Sequence, residues 1–360
     1  MHGSTHPPVE HPHGPADRCD VSSGLVIACD VGGTGIKAGL VDTRGRIRHA
    51  RTVPTPVVPG DGAATATAVT ECLVGLTGDL RAAAGARSRS VVALGVVVPG
   101  LVDAAAGVAR YSENLGWRDV PFAELLASAT GLPVAFDHDV RAAGAAEQRL
   151  GAGRGRRDVV FVPIGTGIAA ALVLDGHAYA GEGWAGEIGH IDVGSGVPCA
   201  CGGSGCLETV ASAAAIRKRY AERTGRPVGG ASDVAERMAA GDEDAAAVWS
   251  EAVEALSGVL AATAALVAPE VVLIGGGLSR AGEALLGPLR RRLDARLTLQ
   301  RRPQLQLARL GDRAGLLGAG LLAWERAGVR LGSRDGSEDE PEPATTAQQS
   351  PAARSAGVQR

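Results

Sequence analysis

The chain has 360 residues, a formal net charge of −3, 45% hydrophobic residues and 3% aromatics. That length suffices for two domains sharing a cleft, and a core made of Val, Leu, Ile and Ala suits an α/β protein with buried strands. Scattered basic residues argue against nucleic-acid or membrane partners; the polar N-terminus lacks a secretory signal's apolar core and no apolar stretch nears the ~18–20 residues that span a bilayer, so the expected location is the cytoplasm.

Residues 1–23 are rich in His, Pro and Gly and are expected to be disordered, with His2, His6, His11 and His13 on a loose tail. Strands follow at 25–30, 36–42 and 46–53, then an Ala-rich helix at 61–86 and a buried strand at 91–98. A strand at 133–138 leads into a helix over 140–150. The second half repeats the opening, with strands at 158–164 and 168–174, a Gly/Cys-rich insertion, and helices at 209–222 and 244–267. A strand at 271–277 enters a glycine turn, a helix starts at 280, and a last helix covers 313–327. Residues 332–360 carry almost no apolar side chains and are expected to be disordered, leaving 24–331 as the folded part. A strand triplet followed by alternating helices and strands, occurring twice, describes an α/β protein of two similar lobes.

The tetrapeptide GTGI occurs twice, at Gly33–Ile36 and Gly165–Ile168, each time between apolar runs that read as strands. A small glycine turn between buried strands presents backbone N–H groups and a hydroxyl with no side chain in the way, which suits a phosphate chain. In the first copy, Asp30 ends a strand, where its carboxylate can face magnesium or magnesium-bound water. Gly32 and Gly33 admit phosphate oxygens and Thr34 adds a hydroxyl. The plainer reading is a tight hairpin. No Gly-Lys-Ser/Thr follows, so this is not a Walker loop. The second copy, Gly165, Thr166 and Gly167, gains weight from its matching flanks. Gly275 and Gly276 follow a buried strand and precede a helix, which gives flat access for a base and ribose, or else a simple connection.

Asp137 and Asp139 flank His138 where a strand hands over to a helix. A sugar hydroxyl is a poor nucleophile, and a carboxylate accepting its proton contributes on the order of 10²–10⁴ in rate. Asp139 reads equally well as a helix N-cap; the residues alone leave both open. Six Cys in a cytosolic chain point to metal or free thiols rather than disulfides. His190, Cys199, Cys201 and Cys206 supply one imidazole and three thiols within a glycine-rich stretch, which fits a closed tetrahedral zinc site better than a redox pair, since Cys-Ala-Cys lacks the two-residue spacer. Glu187 and Glu208 bracket that stretch, either as acceptors for sugar hydroxyls or as surface charges.

The pieces DVGGTGIK (Asp30–Lys37), Pro99-Gly100, ENLGW (Glu113–Trp117), His138-Asp139, PIGTGI, GEIGH, CACGGSGCLE and LIGGG resemble, in order, the ROK family of sugar kinases and repressors, within the actin/hexokinase-like superfamily. The resemblance covers nearly everything between 25 and 325. It implies two actin-like (ribonuclease H-like) lobes with a cleft between them and a zinc-bearing loop, 187–208, in the second. The expected lobes are 24–138, completed by the helix at 313–331, and 139–312. The implied activity is transfer of the ATP γ-phosphate, with Mg2+, to the 6-hydroxyl of a hexose, usually glucose, with Asp139 as base. Asn114, His138, Glu187, His190 and Glu208 are the implied sugar contacts. Asp30, Gly32, Gly33, Thr34, Lys37, Gly165, Thr166 and Gly167 are implied for the phosphates, and Gly275 and Gly276 for adenosine. Zinc takes His190, Cys199, Cys201 and Cys206, and a homodimer or dimer of dimers is expected.

His138 stands where the family usually has Asn, and Ala169-Ala170 where glycines are common. Neither departure touches the base, but the first bears on the choice of sugar and the second on the width of the phosphate path. The alternative substrates are N-acetylglucosamine, N-acetylmannosamine or mannose; a sugar sensor or a repressor is the reading from another class. Repressors of the family carry a winged helix-turn-helix ahead of the kinase-like body, and only about two dozen residues precede the first strand here.

Overall fold

The computed structural model describes residues 24–86 and 89–331; both tails expected to be disordered lie outside the described residues. β1 (Leu25–Val31) and β2 (Gly35–Val41) form a hairpin around the first glycine turn, and β3 (Ile47–Pro54) extends it antiparallel. The helix α1 (Gly62–Gly85) is capped by Asp61, whose carboxylate accepts from the Ala64 N–H. β4 (Val91–Val98) then pairs parallel with β1. An unanticipated three-stranded antiparallel sheet follows, made of β5 (Leu101–Asp103), β6 (Val108–Tyr111) and β7 (Arg118–Val120). Its strands are three or four residues long, too short to show periodicity. After α2 (Phe122–Thr130), β8 (Val134–His138) joins β4 in parallel and α3 (Asp139–Leu150) begins without a connecting loop.

The second half repeats this plan. β9 (Val159–Pro163), β10 (Ala171–Leu174) and β11 (His177–Tyr179) form the antiparallel part, and β12 (Val271–Gly275) and β13 (Gln304–Leu307) add in parallel. Sheet orders β3-β2-β1-β4-β8 and β11-β10-β9-β12-β13 are the same path traced twice. The anticipated helix at 209–222 is two, α4 (Glu208–Ala211) and α5 (Ala213–Thr224), broken at Ser212, whose extended backbone lets its hydroxyl cap α5. α6 (Ala231–Ala239) was not anticipated; α7 (Glu243–Val267), α8 (Glu283–Arg296) and α9 (Ala314–Arg326) complete the chain.

By length and composition α7 is apolar enough to cross a membrane, with a mean hydropathy of 1.4 over its best window, contrary to the sequence expectation. Its apolar face is covered: Val248, Trp249, Val253, Leu256 and Leu260 are buried in the core of the second half. A core helix passes the same compositional test.

A separate core lies between the two five-stranded sheets. It joins Val26, Ala28 and Val97 of the first sheet to Val159, Phe161 and Leu273 of the second through Ala142 and Ala146 of α3 and Leu317, Ala319 and Trp324 of α9. α9 reaches β4 closely because Gly95 has no side chain: a Cβ there would stand 1.9 Å from the Ala319 carbonyl oxygen. The register aligns Asp30 of β1 with Val97 of β4, and Val98 with His138 of β8. Three parallel strands therefore end side by side, the edge at which α/β sheets bind ligands.

Candidate active site and metal centre

Asp139 is the first residue of α3, directly after β8, so a strand end and a helix start fix its backbone. The N-cap alternative does not hold. The capping position belongs to His138, and the Asp139 carboxylate accepts from the adjacent Val140 N–H at 2.7 Å rather than from a residue further along the turn. Burial pushes the Asp139 carboxyl up to about 7, and Glu187 adds to the rise. Asp30, ending β1, is pushed up to about 6 by burial and by Asp139, while Lys37, its partner across the hairpin, works the other way. Asp139 raises Asp30 and Glu187 raises Asp139, so the carboxylates gathered here leave a deficit of positive charge. The donor chemistry fits a divalent cation carried in on a nucleotide.

One partner of this centre was legible in the sequence and missed. Arg141 lies one turn beyond Asp137, and its Nε donates to Asp137 Oδ1 at 2.7 Å in a buried ion pair. The i, i+4 spacing was the signal. The pair compensates the charge of Asp137 and leaves Asp139 as the carboxylate of the turn without a cationic ion-pair partner. His138 Nε2 stands 3.2 Å from Asp139 Oδ1. Burial, with Arg141 adding, pushes the imidazole down to about 4, so it is neutral at pH 7.

Around the first hairpin, the Gly32 N–H donates to the Gly35 carbonyl and Thr55 Oγ1 donates to the Gly32 carbonyl at 2.6 Å, holding the turn while Gly33 and Thr34 stay exposed. Asn114 sits beside this tip: a Cβ on Gly33 would lie 3.9 Å from its Cβ. Trp117 anchors the Asn114 segment, buried edge-on against Phe122 at 5.0 Å between ring centroids. Such a pair adds about 0.5–1.5 kcal/mol beyond its buried area. Lys37 Nζ donates to the Asp312 carbonyl at 2.8 Å, tying the hairpin to the turn that enters α9.

The second hairpin is closed by the Gly165 N–H on the Gly167 carbonyl, with Thr166 exposed at its tip. Gly276 packs against its base with φ +72°, and a Cβ there would come within 2.5 Å of the Ile164 carbonyl oxygen, so only glycine fits. Gly275 and Gly276 therefore border the second hairpin. Glu208 reaches it from the cysteine loop: its Oε2 accepts from the Ile168 N–H at 2.8 Å. Glu208 thus has one oxygen committed to the backbone, a contact across 40 residues that spacing cannot reveal.

The loop containing Glu187 lies along the same hairpin. The Ala170 N–H donates to the Gly186 carbonyl at 2.7 Å, and Gly186, at φ +100°, would place a Cβ 2.0 Å from the Ala170 oxygen. His190, Cys199, Cys201 and Cys206 converge, their ligand atoms all within 4.8 Å of one another. Cys201 and Cys206 sulfurs are 3.6 Å apart, and Cys199 Sγ is 3.7 Å from His190 Nδ1. A tetrahedron with bonds of ~2.3 Å has edges of about 3.7 Å, so the set fits zinc, and the sulfur separation excludes a disulfide. Nδ1 faces the thiols, and Nε2 lies 3.9 Å from Glu187 Oε2, an outer carboxylate of the kind that orients a metal-bound imidazole.

Residues 26–326 match the ROK family. The chain belongs to that family. It is 34% identical over 322 residues to a glucokinase of Halalkalibacterium halodurans, covering 82% of this chain and 94% of that protein. Among solved structures, the ROK hexokinase from Thermus thermophilus superposes with a TM-score of 0.71 at 35% identity, covering 84% of this chain and 99% of the other. A ROK family glucokinase from Streptomyces griseus, in complex with glucose and AMPPNP, gives a TM-score of 0.68 at 30% identity, covering 84% and 100%. The twin sheets are therefore the two-lobed actin-like α/β fold of these kinases, with a Cys/His cluster able to bind zinc.

Proposed function

We propose that this member of the ROK family transfers the γ-phosphoryl group of ATP to the 6-hydroxyl of a hexose, glucose foremost. The observation that carries the reading is Asp139, a carboxylate at a strand-to-helix junction whose partly buried setting pushes it up to about 7. A base poised near the working pH combines an ionised fraction with proton affinity.

Asn114, Glu187, His190 and the uncommitted oxygen of Glu208 hold the sugar hydroxyls, and the two glycine turns, with Lys37 beside the first, line the phosphate path. Asp30 faces nucleotide-bound magnesium or its water shell, and Gly275 and Gly276 border the adenosine. The hexose oxygen attacks the γ-phosphorus, its proton passes to Asp139, and the bond to the β-phosphate oxygen breaks to release ADP. Magnesium, when bound with the nucleotide, supplies charge neutralisation at the phosphates. His190, Cys199, Cys201 and Cys206 would hold zinc, which would stiffen the loop that presents Glu187 and Glu208.

The lobes divide at 138/139, the second runs to 312, and the segment 313–331 rejoins the first. Closure of the lobes on the sugar, assembly as a homodimer or dimer of dimers, and a cytoplasmic location beside ATP belong to the same proposal. A coupled assay with ATP or polyphosphate against glucose, mannose, N-acetylglucosamine and N-acetylmannosamine tests the substrate. Asp139→Asn should lower kcat by about 10²–10⁴ with glucose still binding by calorimetry; normal turnover in that variant removes Asp139 as base.

A further inference from the structure

The Asp30 carboxylate differs from the other acids around the lobe junction in what holds it. Asp137 has Arg141, and Glu147 accepts from three backbone N–H groups, but among the described residues no hydrogen bond or ion pair reaches Asp30. Lys37, opposite it in the hairpin register, donates to the Asp312 carbonyl instead. What the carboxylate meets is a helix backbone. A Cβ on Gly315, in the first turn of α9, would stand 2.4 Å from Asp30 Oδ2, 2.7 Å from Cγ and 2.9 Å from Oδ1. Ordinary carbon contacts lie at about 3.5–4.0 Å, so a methyl group there displaces the carboxylate by about 1 Å.

The helix has no room to retreat. Toward the first sheet, a Cβ on Gly320 would come within 2.9 Å of the Val41 side chain, and one on Gly95 within 1.9 Å of the Ala319 carbonyl oxygen. On its other side Gly318 lies against α3, where a Cβ would stand 2.3 Å from the Ala142 carbonyl oxygen. α9 is wedged between sheet and helix, so a side chain added at 315 moves Asp30 rather than α9.

We propose that Gly315 is a positioning residue for phosphoryl transfer: having no side chain, it lets the first turn of α9 underlie the Asp30 carboxylate and sets how far that carboxylate reaches toward nucleotide-bound magnesium. The role rests on the kinase reading above, in which Asp30 faces the cation or its water shell. A misplacement of about 1 Å in a group that orders the reactants costs on the order of 10² in rate. Gly320 supplies the contrast within the same helix, since it is packed nearly as closely but against an apolar side chain.

The test uses the full chain with ATP, magnesium and glucose. Gly315→Ala should lower kcat about 10²-fold, with glucose binding by calorimetry unchanged. It should also move the magnesium activation curve about tenfold higher, the scale of one hydrogen bond to a charged group. Manganese gives a readout apart from turnover: the affinity of the protein for manganese–ATP, followed by EPR without sugar, should fall by a similar factor. Gly320→Ala, which crowds Val41 instead, should lower the urea midpoint and leave both cation readouts at wild-type values. In an Asp30→Ala background the added methyl has no carboxylate to meet, so Gly315→Ala should there cost no stability. That comparison holds even where the single variant folds poorly. A folded Gly315→Ala with wild-type kcat and magnesium curve overturns the proposal, as does an equal loss of stability with and without the Asp30 carboxylate. So does a Gly320→Ala variant that shifts the magnesium curve equally, which makes the effect one of helix seating. In each case an inactive Asp139→Asn leaves the kinase reading standing, whereas turnover surviving in Asp139→Asn removes that reading itself.

Discussion

At the residue scale, chemistry is set by which charges are compensated. Asp137 has Arg141, bonded through Nε at 2.7 Å, whereas Asp139 two residues on has a neutral imidazole and a backbone N–H. The same residue type is a buried ion-pair partner at one position and, in the proposed mechanism, the proton acceptor at the other. A carboxylate base works only when ionised, and burial pushes the Asp139 carboxyl, the proposed base, up to about 7. kcat/KM should therefore rise with pH along a limb centred near 7, read from initial rates between pH 5.5 and 8.5; a flat profile across that window contradicts the assignment. Stability runs the opposite way. Between the ordinary carboxylate range and about 7 the folded state holds a proton that the unfolded chain has released, so this group's contribution is complete in acid and is lost as pH climbs through the folded value.

At the element scale, the cysteine loop is held by contacts at both ends: Gly186 against Ala170, and Glu208 on the Ile168 N–H, both on the second hairpin. Between those ends, Gly194, Gly196, Gly202 and Gly205 have positive φ, so the backbone contributes little stiffness of its own. A zinc ion on the four donors would supply it. Cys201→Ser should leave a protein without stoichiometric zinc by mass spectrometry, and should raise the KM for glucose and for ATP together, since the loop braces both Glu187 and the hairpin. Retention of one zinc per chain in that variant excludes Cys201 from the ligand set.

At the scale of the whole molecule, one buried carboxylate joins the pieces. Glu147, near the end of α3 and fully buried, accepts from the Leu310 N–H through Oε1 at 2.7 Å, and from Arg309 and Ala152 N–H groups through Oε2 at 3.1 and 3.0 Å. It clamps the helix that begins with Asp139 to the segment entering α9, whose Gly315 lies directly against Asp30: a Cβ there would stand 2.4 Å from the Asp30 carboxylate. The two central helices thus hold the two acidic groups of the cleft in fixed relation. Glu147→Gln turns an NH2 group toward a backbone donor and should destabilise the fold by about 1–3 kcal/mol, measured by urea denaturation; an unchanged midpoint removes the clamp.

The strands, both glycine hairpins, the Asp139 turn and the four metal donors were readable from the chain because each is a contiguous stretch whose chemistry is local. So was the duplication, since two hairpins with the same flanks imply two sheets with the same order. The short strands β5 to β7, β11 and β13 and the helices α2 and α6 escaped because three to nine residues carry too little periodicity to separate from loop. Other features only the folded chain decided: Glu208 on Ile168, Glu147 on Leu310 and Gly315 beneath Asp30, at separations from 40 to 285 residues. The tertiary structure also gave the N-cap position to His138 rather than Asp139, because capping, burial and charge compensation depend on what packs against a residue, and a linear pattern does not record its neighbours in space.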